Sequence, residues 1–420
     1  MKSFAYLALI AVGVGSVIIV WPRRTEAASP AAVPHRPYDS ALAAHEVNFN
    51  LARVRRDPGG AIGWRQLASA YLTEARQKED PKLAIKAQQA AERSLSIRKA
   101  RNAGAAILIA DALLEQHRFE EAHQACETAL AIEPGADAAE RTMTDIDFEL
   151  GRYDEAGQRI AAHPDWRKDP AGMALMARQA ETYGHPDQAE MWLTQAVQTA
   201  DADYELPATT VSWFHVKLGE LQTRYGRYDQ ANKQLKQALA LYPESWKALA
   251  AMARLCAKRR DNDGVLWYGK QLDEVAPMTD VVGLMEDAAR TKGDESDADL
   301  YAKYVLKLNQ STIDLGVKPH TPAQLKNGHT HDRMFCLYLA EHGKMLDLAQ
   351  HAATHELASR KDIYSYDTYA WVTFLWGKAK GSRIDVVEAK QSIDKALATG
   401  TKDPQILAHA KAIDDYLQNN

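Results

Sequence analysis

The sequence GRYDEA at residues 151–156 returns as GRYDQA at residues 226–231, with looser copies at residues 117–122 (HRFEEA) and 184–189 (GHPDQA). The final alanines of the first three copies are 34 and 33 residues apart, and the last step is 42 residues long. Each copy is typical of a turn followed by a second helix, whose small alanine lets two helix backbones approach. Four copies at this spacing predict an array of stacked helical hairpins.

Two further patterns fix the register of this array. Residues 64–71 (WRQLASAY) fit the first-helix pattern W-x2-L-G-x2-Y, with Ala68 in the place of the glycine. Pro134 and Pro243 each follow the final alanine of a copy by 12 residues, where the family has a closing proline. The chain therefore resembles the tetratricopeptide-repeat (TPR) family. This resemblance implies an all-α fold, a TPR α-solenoid in which helix-turn-helix repeats form a right-handed superhelix around one continuous core.

The repeats and the segments between them predict a division of the chain. The eight extra residues of the long step predict a polar loop around residues 200–207, and prolines and glycine after residue 309 mark a connector. From the N-terminus we expect a transmembrane anchor or signal segment (1–24), a flexible tether (25–40), a TPR array (41–309), a connector with an insertion (310–330), further TPR-like units (331–400) and a capping helix (401–420).

The N-terminal segment predicts membrane targeting. Residues 4–21 carry no charge and are long enough to cross a bilayer as an N-terminal helix. Two interpretations remain open: an uncleaved anchor, which Arg23 and Arg24 favour, or a signal peptide cut after Ala27. We expect the body to be exported, in the bacterial periplasm or outside the cell. A cytoplasm-facing membrane adaptor is the alternative.

The C-terminal part resembles a second, narrower group. Residues 360–371 (RKDIYSYDTYAW), residues 400–403 (GTKD) and His409 between two alanines are similar to a group of exported bacterial TPR proteins whose function is unsettled. The resemblance covers about the last 90 residues and implies a bacterial envelope setting. It implies no catalytic residue.

Composition and motifs argue against several classes of function. The net charge is -5, with basic residues interleaved among acidic ones, so nucleic-acid binding is not expected. Cys126, Cys256 and Cys336 are far apart and predict core packing rather than a disulfide framework or zinc site. Hydrolase, P-loop and Rossmann motifs are missing, so we expect neither an enzyme nor a cofactor.

One histidine pair supports an alternative function. His329 and His331 form an H-x-H pair beside Asp332 in the predicted connector. Such a pair can contribute to a site for zinc or another divalent ion, if the fold supplies further ligands. The alternative to a scaffold is thus a metal-binding or metal-homeostasis accessory protein, although solvated histidines at a helix start are the simpler explanation of the pair.

The resemblance to TPR proteins also implies where a partner would bind. The first helices of TPR repeats line the concave surface, so outward positions on these helices are candidate contacts. The main hypothesis is a non-catalytic protein–protein interaction scaffold of the cell envelope, holding a protein or peptide in this groove. The candidate contacts are Arg65, Ser69, Asp111, Arg178, Glu181, Glu220 and Arg254.

Overall fold

A computed structural model describes residues 40–315 and 333–419, and all regular secondary structure in these two ranges is helical. The helices of the first range are α1 (Ser40–Arg56), α2 (Ala61–Lys78), α3 (Pro81–Ile97), α4 (Ala103–Leu114), α5 (Phe119–Ile132), α6 (Asp137–Leu150), α7 (Tyr153–Ala162), α8 (Pro170–Thr182), α9 (Pro186–Ala202), α10 (Ala208–Arg224), α11 (Tyr228–Leu241), α12 (Trp246–Lys258), α13 (Asn262–Val275), α14 (Thr279–Thr291), α15 (Glu295–Leu308) and α16 (Gln310–Leu315). A short 3-10 helix, Pro164–Lys168, lies between α7 and α8. The second range contains α17 (Arg333–Glu341), α18 (Leu346–Ser359), α19 (Ile363–Lys380), α20 (Arg383–Leu397) and α21 (Pro404–Asn419).

The helices pack as consecutive pairs along one axis. Helix α2 packs on α3, α4 on α5, α8 on α9 and α10 on α11, and each pair also contacts the next. Helix α14 contacts α17, so the pairs continue on either side of residues 316–332. This stacking is that of an α-solenoid, in which each repeat buries its apolar face against its neighbours. The predicted all-α solenoid of stacked helix pairs is confirmed.

The repeated hexapeptide now has a structural explanation. Its glycine ends the first helix of a pair in the left-handed region, with φ of 74° at Gly151, 77° at Gly184 and 78° at Gly226. Glycine adopts this conformation without the Cβ penalty of other residues, and His117 adopts it with φ 55° in the copy at residues 117–122. The last residue of each copy is fully buried at the crossing of two helices: Ala122, Ala156, Ala189 and Ala231.

The long 42-residue step is absorbed mainly by helix. Helix α9 continues through Ala202 and α10 begins at Ala208, so residues 203–207 alone lie between them. The loop predicted around residues 200–207 was therefore too long. Its first residues continue α9 because Ala200 is fully buried in the same core as Leu193 and Ala196.

The superhelix winds tightly enough for successive turns to touch. The Trp246 indole donates a hydrogen bond to the carbonyl oxygen of Arg76, 2.8 Å away and 170 residues earlier. The amide of Ile363 donates to the Tyr153 hydroxyl at 2.7 Å, across 210 residues. Arg360 forms an ion pair with Glu149. The concave side of the early repeats therefore faces the C-terminal repeats.

Several predictions concern residues outside this description. The N-terminal anchor or signal segment, most of the tether, most of the connector, His329 and His331 lie outside the described residues. The connector's first residues form α16. No helix within residues 40–315 or 333–419 combines the length and apolar character needed to span a membrane.

The predicted capping helix and the three cysteines lie among the described residues. Helix α21 buries Ile406, Ala410 and Ile413 against the preceding pair. Cys126, Cys256 and Cys336 are all buried. Burial raises the pKa of the Cys126 thiol to about 12 and that of Cys256 to about 11, so both thiols are protonated at neutral pH.

Candidate functional site

A cavity of about 660 Å³ lies on the inner side of the superhelix. One wall comes from the first helices of successive pairs, α4, α6, α8 and α10. The opposite wall comes from the next superhelical turn, where α18 gives way to α19. Its apolar lining includes Phe148, Leu175, Trp213, Leu221, Ile363 and Tyr364.

Arg178 forms the centre of the charged lining. Its guanidinium donates to Asp145 at 2.5 Å and to Glu149 at 2.6 Å, both on the preceding first helix α6. Burial alone would lower the pKa of Arg178, but these two carboxylates raise it above its ordinary value. Charge-assisted hydrogen bonds of this kind hold both partners in one geometry. Arg178 thus joins two neighbouring repeats.

The same arrangement recurs along the inner wall. Arg76 on α2 donates to Glu115 at 2.6 Å and lies 3.4 Å from Asp111, at the end of α4. Arg224 on α10 pairs with Glu181 on α8. Neighbouring first helices are therefore linked by arginine–carboxylate pairs, and the inner surface is polar but almost charge-balanced.

Glu149 connects the wall to the next turn. One of its carboxylate oxygens accepts from Arg178 and the other from Arg360. Burial pushes the pKa of Glu149 upward, but the two arginines outweigh burial and bring it to about 2. Glu149 is therefore ionised at neutral pH and forms a direct ion pair with Arg360 of the next turn.

Tyr364 lies between two arginines at the same place. The Arg224 guanidinium is 5.7 Å from the ring centroid and that of Arg333 is 5.4 Å from it. These distances allow cation–π attraction. Burial raises the pKa of Tyr364 well above its ordinary value, so its hydroxyl stays protonated. This ring anchors the start of α19 to the cavity.

The predicted contact residues fall into two groups. Asp111, Arg178, Glu181 and Glu220 all line the cavity. The other three do not: Arg65 lies 3.4 Å from Asn102, Ser69 is exposed, and Arg254 pairs with Asp280 at 2.7 Å. The register of the first helices thus brings four of the seven together.

Sequence reasoning did not select several lining residues. Asp145, Glu149 and Arg224 occupy inner positions of first helices, so the same register could have found them. Arg360 and Tyr364 gave no such signal, because the cavity residues they contact, Glu149 and Arg224, are more than 130 positions earlier in the chain.

Metal-ligand groupings are lacking in the part of the chain that the structure describes, where no three His, Cys, Asp or Glu side chains are placed to hold an ion. The titratable groups of the cavity instead form ion pairs. Lys217 and Glu220 illustrate this pattern, with 2.9 Å between the amine and the carboxylate.

Comparison with known proteins gives a family match and similar solved structures. Residues 113–178, from the end of α4 into α8, match the tetratricopeptide-repeat family model. No curated protein matches the chain. A structure reported for the functional characterization of Pseudomonas aeruginosa pilF is 19% identical with a TM-score of 0.35, covering 53% of this chain and 93% of that one. A tetratricopeptide repeat protein from Parabacteroides merdae ATCC 43184 is 13% identical with a TM-score of 0.39, covering 62% and 98%.

Proposed function

We propose that this chain, a tetratricopeptide-repeat protein, is a non-catalytic interaction scaffold whose inner cavity binds an extended segment of a partner protein. The observation that carries the proposal is the cavity lined by the first helices of the repeats and, opposite them, by the next superhelical turn. Its volume of about 660 Å³ lies within the usual range of ligand sites, roughly 300 to 1,000 Å³. That space suits a few residues of extended chain and is too small for a folded domain.

The lining suits a peptide chemically. Half-buried Trp213, Leu114 and Tyr364 offer apolar contact, and the paired arginines and carboxylates lie beside them. A peptide presents backbone donors and acceptors together with side chains of both kinds, so it can match alternating polar and apolar patches. The paired charges are already ordered, which lowers the entropy cost of binding.

Two carboxylates of the cavity, Glu149 and Glu220, support a non-catalytic role. General acid–base catalysis works best when the pKa of the catalytic group lies near the operating pH. Arg178 and Arg360 hold the pKa of Glu149 at about 2, and Lys217 and Arg254 lower the pKa of Glu220 against the effect of burial. Both groups therefore remain ionised at neutral pH and are suited to binding.

The proposed location is the cell envelope. It is supported by the uncharged run at residues 4–21 and by the basic residues that flank it. A scaffold attached there through its N-terminus would hold its repeats close to the membrane surface, where partner segments of other envelope proteins are concentrated.

The test places a photoreactive phenylalanine at either of two tryptophans of the full chain, in its native cells. Trp213 lines the cavity, whereas Trp267 on α13 is 59% exposed and lies outside the cavity lining. We expect irradiation to link a dominant protein to position 213, in the membrane fraction, and little to position 267. Equal adducts at both positions, or none at 213 in folded protein, would refute cavity binding. Adducts confined to soluble cytoplasmic protein would refute the envelope location.

A further inference from the structure

The contact between superhelical turns has a composition unlike the rest of the array. Neighbouring repeats are joined by apolar clusters, such as the one that includes Met173, Leu193, Val211 and Phe214. The contact between turns is instead largely polar. It joins residues 360–364 and 400–403, hereafter the C-terminal rim, to the ends of α6, α8 and α10.

Two charges of the C-terminal rim meet arginine or carboxylate partners on the earlier turn. Arg360 pairs with Glu149, and Asp403 lies 3.4 Å from the Nε of Arg224. The Tyr153 hydroxyl accepts from the amide of Ile363. Tyr153 also packs against apolar residues of both turns. Such a polar contact can separate at lower cost than an apolar helix interface, because water replaces the lost hydrogen bonds.

Two glycines allow the backbones to approach at this contact. A Cβ atom at Gly151 would overlap the carbonyl group of Lys361, and one at Gly184 would overlap the carbonyl oxygen of Gly400. The corresponding turn glycines Gly226 and Gly293 have the same left-handed backbone, with φ of 78° and 80°, and nothing within 4 Å of such an atom. The chain thus contains both the contact and its matched control.

The C-terminal rim also forms part of the cavity. Arg360, Asp362, Ile363 and Tyr364 line it opposite the first helices. Separation at the C-terminal rim would remove this wall and expose the inner surface opposite it, while the Trp246–Arg76 contact between turns lies outside the rim. The apolar cores on either side would remain, since Phe335 and Leu339 belong to one cluster and Leu218 and Leu221 to another.

We propose that the C-terminal rim is a reversible latch, which closes the cavity when the turns touch and admits a partner segment when they separate. This inference rests on the proposed peptide-binding function. It assigns a regulatory role to the last repeats: they set how often the binding surface is accessible. A ligand that enters the cavity favours whichever arrangement of the turns it binds more tightly.

The test measures access to the cavity in the full chain. Ala174 lines the cavity and is half-buried, so Ala174→Cys places a thiol there, while the native cysteines are buried. The readout is the rate at which a maleimide bearing a bulky polymer modifies this thiol. One variant adds Gly151→Ala and Gly184→Ala, and the control adds Gly226→Ala and Gly293→Ala. All four positions have the same left-handed backbone, and the first pair alone places Cβ atoms that overlap the C-terminal rim.

We expect the first pair to raise the modification rate on the order of tenfold, as when an open state of roughly one percent becomes about a tenth of the population. The control pair should change the rate less than about twofold, with unchanged helix content by circular dichroism in both variants. Equal rates in the two variants would overturn the latch.

The latch and the proposed function can fail separately. Faster modification without any partner linked at position 213 would leave the latch intact and refute peptide binding. A partner linked equally well in the wild type and in the Gly151/Gly184 variant, with no difference in access, would support peptide binding and refute the latch.

Discussion

Replacement of Trp166 by alanine is expected to lower the free energy of unfolding of the repeats around it by about 3 to 5 kcal/mol. Trp166 lies in the short 3-10 helix between α7 and α8 and is 2% exposed. It packs in a cluster with Phe148, Ile160 and Leu175, so it joins two neighbouring pairs. Alanine would leave a cavity at this junction.

Polar contacts of the same indole add to this loss. Its Nε1 donates to Asp137 at 2.6 Å, its ring stacks on His163 at 4.4 Å, and the Arg141 guanidinium lies 4.7 Å above it. The measurement is urea unfolding monitored by hydrogen exchange of the backbone amides in α6 to α8. The exposed Trp267→Ala is the control and should cost less than about 1 kcal/mol. Similar costs for the two variants would contradict the assigned packing.

His409→Ala is expected to lower the free energy of unfolding of the last three helices, α19 to α21, by about 2 to 4 kcal/mol. The Nδ1 of His409 lies 2.8 Å from a carboxylate oxygen of Asp367, and the two side chains are 9% and 6% exposed. The imidazole also stacks on Trp371 at 4.0 Å. Burial raises the pKa of Asp367, and the hydrogen bond from His409 opposes that rise. Removal of the His409 imidazole therefore leaves the buried Asp367 carboxyl without this partner.

A second substitution separates the charge from the packing. Asp367→Asn in the His409→Ala background replaces the buried acid by a neutral amide and should recover at least about 1 kcal/mol. Thermal unfolding of the two variants and of wild type provides the comparison. A double variant less stable than His409→Ala alone would show that the carboxyl has another partner and that the pair is not the source of the loss.

The local structure of the repeats follows from short-range sequence rules. A glycine that ends a helix and an alanine at a helix crossing recur at a fixed period, and Gly151 and Ala156 take those roles in the structure. The hexapeptide therefore predicts each hairpin, and the period predicts the stack. The same register places Asp111 and Arg178 on the inner wall, where the structure has them.

The closure of the superhelix could not be predicted in this way. Its curvature accumulates from small rotations between repeats, which depend on the packing of every interface rather than on a motif. The contact of Tyr153 with Ile363 joins residues 210 positions apart, and neither belongs to a pattern that names the other. For this reason the sequence predicted the concave groove but not its other wall, which the C-terminal rim forms in the structure.

The loop predicted around residues 200–207 was too long for a related reason. The polar residues Asp201 and Asp203 suggested a break, but Ala200 is buried and His215 lies 3.0 Å from Asp201, which gives that carboxylate a partner at the end of α9. Tertiary contacts therefore extend a helix that local composition would end earlier.

The closed superhelix is tested most directly by a distance between its two turns. Spin labels at Glu155 and Lys361, both exposed, report on the turn carrying Tyr153 and on the C-terminal rim, and a pair at Glu155 and Gln188 reports on neighbouring repeats within one turn. Pulsed electron paramagnetic resonance on the full chain should give one short, narrow distance for each pair. A broad distribution for the first pair, longer by more than about 10 Å, the diameter of a helix, with the second pair still narrow, would show that the turns do not touch in solution.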